Sequence, residues 1–310
     1  MIEVLVALVP VFLIIALGVV LRHTLLREDA HWRGLERLTY FVLFPALLMV
    51  SLARTDLGGV AVLEVSAALL GAIALMTLAL LGCRVAICRV LALSGPSFTS
   101  FAQGALRWNT YVGLAVAGGL AGPAGLAVAA VAIAVIIPSV NVLSVVILAR
   151  YAGSGQLNGA DVFRQIARNP FIWSCAAGAL INVLHLPTPP VLVTFADILG
   201  RASLALGLLV VGAGLVLSDL RRPHAATWWA AVLKLLVLPA LAVTIGRFCG
   251  LGGVDLLVVA IAAAVPSAPN GYVLARQMGG DAPLLAQMLT LQTLLSAITL
   301  PLVIAAVQLL

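Results

Sequence analysis

With 310 residues, 63% of them hydrophobic and only 9% charged, the chain lies far outside the composition of a water-soluble domain, and that class is excluded. Its net charge of +6 comes almost wholly from arginines spread through short polar segments rather than gathered in runs, which argues against a nucleic-acid surface.

A spanning helix needs about 20 predominantly apolar residues. Ten such stretches follow one another along the chain, at 4–21, 35–53, 60–82, 98–120, 126–149, 170–184, 202–217, 227–246, 256–279 and 284–309. The reading is therefore an all-α integral membrane protein of ten transmembrane helices. Met1-Ile2-Glu3 puts no basic segment ahead of the first stretch, so that helix is read as retained rather than as a cleaved signal.

Loops are numbered by the helix they follow. The odd ones hold Arg22, Arg27, Arg33, Arg37, Arg84, Arg89, Arg150, Arg164, Arg168, Arg221 and Arg222, whereas the even ones hold Arg54, Arg201 and Arg247. Positive charge marks the cytoplasmic side, which places both termini outside. Cys83, Cys88, Cys175 and Cys249 have no C-x-x-C spacing and read as small apolar side chains, so neither a metal site nor a cofactor is expected.

The two halves of the chain align. Pro10 and Gly18 match Pro170 and Gly178 at an offset of 160 residues. Asn109-Thr110-Tyr111-Val112 with Gly118-Gly119 matches Asn270-Gly271-Tyr272-Val273 with Gly279-Gly280 at an offset of 161, and Pro123 falls against Pro283. Five helices is an odd number, so the second copy enters the membrane from the opposite side, the 5+5 inverted repeat of many secondary transporters. Residues 1–150 form the first repeat, 151–168 a polar cytoplasmic linker with a short amphipathic helix over 161–168, and 169–310 the second repeat.

The fourth and ninth stretches are the least able to stay helical. Arg107-Trp108-Asn109-Thr110 interrupts the fourth. In the ninth, Pro266 and Pro269 remove two backbone donors and Asn270-Gly271 favours a turn. Non-helical backbone at mid-membrane survives only against protein or a wet cavity, and the exposed amino ends of half-helices attract an anion.

Candidate substrate residues are therefore Arg107, Asn109, Thr110 and Tyr111 in the fourth helix, Asn141 in the fifth, and Pro266, Ser267, Pro269, Asn270 and Tyr272 in the ninth. Asn109 and Asn270 could hold a carboxylate or cap the unwound backbone. Lys234, the only lysine, lies about two turns into the eighth helix; with Arg276 and Gln292 it is a candidate counter-charge or coupling group. Arg276 reads more simply as a surface residue that pairs with Asp281 or extends to the interface. Nucleotide-binding and zinc-protease motifs are absent, and the chain is not expected to be an enzyme.

Pro10 to Gly18, Leu43-Phe44-Pro45-Ala46-Leu47, Asn109 through Leu114, Asn141-Val142-Leu143-Ser144, Asn169-Pro170, Lys234 through Pro239, Pro266 through Asp281 and Gln292 through Ser296 together resemble the auxin efflux carrier family, and look like a bacterial member. The resemblance implies broken crossover helices 4 and 9, a panel domain of helices 1, 2, 6 and 7, and a core domain of helices 3–5 and 8–10. It also implies an elevator-like carrier of small organic anions, auxin-like acids, malonate or malate, in the cytoplasmic (inner) membrane. Beyond substrate and lipid bilayer, H+ or Na+ coupling and a homodimer stay open, and no nucleic acid is expected. Plant carriers have a proline directly before the fourth-helix asparagine, where this chain has Trp108.

Overall fold

The computed structural model describes residues 2–54, 60–152, 170–221 and 223–309, and every regular element among them is helical. The linker residues 153–169, with Arg164, Arg168 and the helix expected over 161–168, lie outside the described residues.

Helix α1 spans Ile2–His23. Helix α2 (Asp29–Leu38) continues through a widened turn, Thr39–Leu43, into α3 (Phe44–Arg54). The Phe44 N–H donates to the Thr39 carbonyl, five residues back. Pro45 follows, and a proline ring presses on the carbonyl one turn earlier, which the wider turn relieves.

Helix α4 is Val62–Gly82, and α5 (Arg84–Val90) carries Arg84 and Arg89, which the sequence assigns to a loop. Helices α6 (Gly95–Leu106) and α7 (Thr110–Tyr151) follow. Together Gly95–Tyr151 is an apolar run of 57 residues. A straight helix of that length would extend about 85 Å, nearly three times the ~30 Å hydrocarbon core. Two breaks resolve the conflict, the first at residues 107–109 and the second at Gly122, whose φ of 55° and ψ of −141° suit glycine alone. Beyond Gly122 the chain folds back, so that Gly118 lies against Leu126 and Gly125 against Ala117. The first limb of α7 thus completes the fourth apolar stretch, and the second limb is the fifth.

In the second half, α8 is Pro170–Val183 and α9 is Pro190–Ala213. Here the sequence reading is corrected: the seventh helix begins at Pro190, not near residue 202, and Arg201 lies inside it rather than in a loop. Arg201 is a loop arginine in the sequence reading, and Asp197 stands just ahead of it. They stand one turn apart and form an ion pair at 2.9 Å on the helix surface.

Helix α10 (Ala225–Val232) passes through a second widened turn, Leu233–Val237, into α11 (Leu238–Phe248), again just ahead of a proline, Pro239. Helices α12 (Gly253–Ala264) and α13 (Asn270–Met278) are separated by residues 265–269, and α14 (Ala282–Gln308) closes the chain. Among the described residues six runs are long and apolar enough to cross a membrane, and Leu8–His23, Trp173–Val183 and Gly253–Ala264 are shorter apolar helices.

The helices sort by contact into two sets. In one, α1 packs along α9, and α3 packs on α8 and α9. Small residues make these approaches close: a Cβ added at Gly18 would collide with the Leu209 carbonyl, and one at Gly178 would lie 2.7 Å from the Met49 carbonyl oxygen. In the other set, α4 packs on α11 and α7, α12 lies among α7, α11 and α14, and α6 lies between α7 and α14. The sets meet at an aromatic cluster where Phe44 stacks face to face on Tyr111, centroids 4.8 Å apart, with Phe171 edge-on to Phe44.

Candidate functional site

The two interruptions meet. The backbone N–H of Asn109, freed from the helix ladder by the break, donates to the Pro266 carbonyl at 2.7 Å across 157 residues of sequence (266 minus 109). Arg107 and Asn109 have extended backbone, as does Val265 at the end of α12.

Each break leaves orphan carbonyls at the end of the half-helix before it, and these find specific partners. The Gly104 carbonyl, whose partner four residues on is unwound, accepts from Ser267 Oγ at 2.6 Å and from Gln292 Nε2 at 2.9 Å. Gln292 Oε1 in turn accepts from the Ser267 N–H at 3.0 Å. One side chain of α14 therefore ties both interruptions together. The Ala263 carbonyl, in the last turn of α12, accepts from Lys234 Nζ at 2.7 Å, a cation at the negative end of a helix dipole. Lys234 is fully buried and stands in the widened turn between α10 and α11.

Arg107 is 4% exposed. Its Nε donates to Gln103 Oε1 at 3.1 Å and an Nη donates to Asn141 Oδ1 at 3.2 Å. Its stem lies on Gly271, where a Cβ would come within 2.9 Å of the arginine Cδ. A guanidinium thus sits beside the amino end of α13, and both favour negative charge.

Asn109 caps α7: its Oδ1 accepts from the Tyr111 N–H at 3.1 Å and the Val112 N–H at 3.3 Å. Thr110 and Tyr111 are buried beside it, and the Tyr111 ring is covered by Phe44. Asn270 opens α13 and Pro269 precedes it as the cap residue, but the Asn270 side chain lies outside the described residues.

Arg107, Asn109, Asn141, Pro266, Ser267 and Gln292 are therefore brought together, with Lys234 alongside. Arg276 is not among them: it is exposed, 6.0 Å from the centroid of the partly buried Tyr272 ring. Asp281 is otherwise engaged, accepting from Ser97 Oγ at 2.8 Å and from the Leu284 N–H at 3.1 Å. Of the cysteines, Cys175 is buried, and the other three are exposed or partly so.

Sequence reading passed over Gln103, Gly104 and Phe44. Gln103 was within reach of it, since a buried glutamine one turn before an arginine is a natural partner. Nothing local announces that the Gly104 carbonyl serves residues 163 and 188 positions away.

A family profile described as membrane transport protein matches residues 3–304. The chain is also 27% identical over 299 residues to an uncharacterized transporter of Methanothermobacter thermautotrophicus, a match that covers 94% of each chain.

Proposed function

The chain belongs to the membrane transport protein family, that of the auxin efflux carriers its motifs resemble, and on that premise we propose that it is a secondary carrier of small organic anions such as malonate or malate. The observation that carries the reading is the hydrogen bond between the Asn109 N–H and the Pro266 carbonyl. It joins two interruptions in apolar helices at a point where Arg107 lies against the amino end of α13, two sources of positive potential side by side.

In this reading the apolar helices make ten passes. The fourth is α6 with the first limb of α7, and the ninth is α12 with α13. The contacts of the matched glycines support the inverted repeat: Gly18 sets the first pass against the seventh, and Gly178 sets the sixth against the second, the pairing a two-fold relation between halves requires. The segregation of α1, α3, α8 and α9 from the other helices supports a panel and a core that move against each other. The arginine bias orients the chain in the cytoplasmic membrane with both termini outside. An anion leaving an inside-negative cell gains about 2.3 kcal/mol per charge per 100 mV, so export needs no coupling ion.

A second reading, proton coupling, is favoured by the burial of Lys234 beside the same interruptions. Sodium is the weaker co-ion, because no Asp or Glu stands in either interruption.

Counterflow of labelled malonate and malate in proteoliposomes tests the proposal. Uncoupled carriage predicts exchange without any ion gradient, whereas dependence on an imposed proton gradient selects the second reading. Asn109→Ala should weaken substrate binding about tenfold, equivalent to ~1.4 kcal/mol. Absence of counterflow for every small carboxylate tried, or binding unchanged in Asn109→Ala and Asn270→Ala, contradicts the site.

A further inference from the structure

Beside the paired interruptions lies a small cavity, with room for about one small occupant. Its walls are aliphatic side chains of α4, α7 and α11 together with Leu106, Trp108, Lys234 and Ala263. Trp108 and Lys234 are the polar side chains among the lining residues.

Both are donors. Lys234 carries three N–H groups, of which one bond, to the Ala263 carbonyl, is seen among the described residues. Trp108 is 5% exposed, and its Nε1 is buried without a hydrogen-bond partner among the described residues. The benzo edge of that indole packs on Gly113, where a Cβ would lie 3.1 Å from Cζ3, so the edge against that glycine is not the one that carries Nε1. A buried N–H left unpaired costs ~1–3 kcal/mol, and a buried ammonium without counter-charge costs more.

These constraints select the occupant. Two donors on one cavity ask for a species that accepts at least twice. The ammonium asks for negative charge. Aliphatic side-chain walls offer no acceptor to the protons of a water or a protonated acid, and the cost of burying an anion among them is met only by the charge of the lysine. The small volume asks for a single atom.

We propose that this cavity binds a halide ion, chloride in ordinary media, held between Lys234 Nζ and Trp108 Nε1. The site is separate from the organic-anion site at Arg107 and Asn109 and does not depend on the transport reading. It supplies the counter-charge of the buried lysine and the missing acceptor of the indole.

The experiment is thermal unfolding of the purified full chain in detergent, titrated with sodium chloride or sodium bromide at ionic strength held constant with sodium sulfate, whose anion is too large for the cavity. The expected result is a saturable rise in Tm with chloride and bromide, lost in Trp108→Phe and in Lys234→Met and retained in Arg107→Gln. Because the variants could fail to fold, anomalous diffraction from bromide-soaked wild-type crystals is the second measurement, with a peak expected between Lys234 and Trp108. Equal melting in halide and sulfate, a halide response that survives Trp108→Phe but not Arg107→Gln, or an ordered water at that position with no bromide peak would each overturn the proposal.

Discussion

Unwinding an apolar helix strips backbone groups of their partners, and this chain answers with individual side chains. Gln292 bonds the Ser267 N–H and the Gly104 carbonyl at once, Lys234 takes the Ala263 carbonyl, and Asn109 caps the two amides that follow it. Replacing Gln292 with leucine leaves the Ser267 N–H unpaired in a dry setting and removes one of the two donors on Gly104. The expected loss is about 1–3 kcal/mol of stability, read as a lower Tm in detergent; an unchanged Tm would mean that water or a shifted neighbour takes over both bonds. The interruptions themselves were legible in the sequence, because Pro266, Pro269 and Asn270-Gly271 cannot continue a helix and Arg107 with Asn109 is costly in a lipid-facing one. Their partners were less so. Asn141 and Gln292 could be named as polar residues in apolar helices, but that Asn141 meets the Arg107 guanidinium and Gln292 the backbone of Gly104 and Ser267 depends on packing between separate helices.

For whole elements, helix-to-helix distance is set by what the interface lacks. Gly18 on α1 and Gly178 on α8 each let a neighbouring backbone carbonyl into the space a Cβ would occupy. Gly34 on α2, with nothing within 4 Å, is the internal control. Gly18→Leu and Gly178→Leu should each lower Tm, because the helix pair must part to admit the side chain, whereas Gly34→Leu should leave it nearly unchanged. Equal effects at all three positions would mean that helix propensity, not close packing, is the governing term. The sequence pairing of Gly18 with Gly178 was visible because glycine and proline matches are informative in a chain crowded with leucine and alanine. The start of α9 is not legible in the same way, because Arg201 reads as a loop charge until its pairing with Asp197 one turn away is known. The widened turns before Pro45 and Pro239 also escaped notice, although each precedes the proline that causes it.

For the whole molecule, the described helices bury the centre of the candidate site: Arg107, Asn109, Thr110 and Ser267 are all buried, Asn141, Pro269 and Tyr272 are partly so, and Phe44 covers Tyr111 where the two helix sets meet. On the proposed carrier function this place must open to each side of the membrane in turn, and the proposal makes the buried form one stage of a cycle in which the sets part along that aromatic contact. Thr110 is well placed to report such opening, since it is 9% exposed here and adjoins the fourth-helix break. The decisive measurement is labelling of Thr110→Cys, in a background with the four native cysteines replaced, by a membrane-impermeant thiol reagent applied to one face of oriented vesicles and then to the other. The account predicts reaction from both faces, slowed by bound substrate at each. A thiol reactive from one face only, or from neither, would contradict alternating exposure of the paired interruptions.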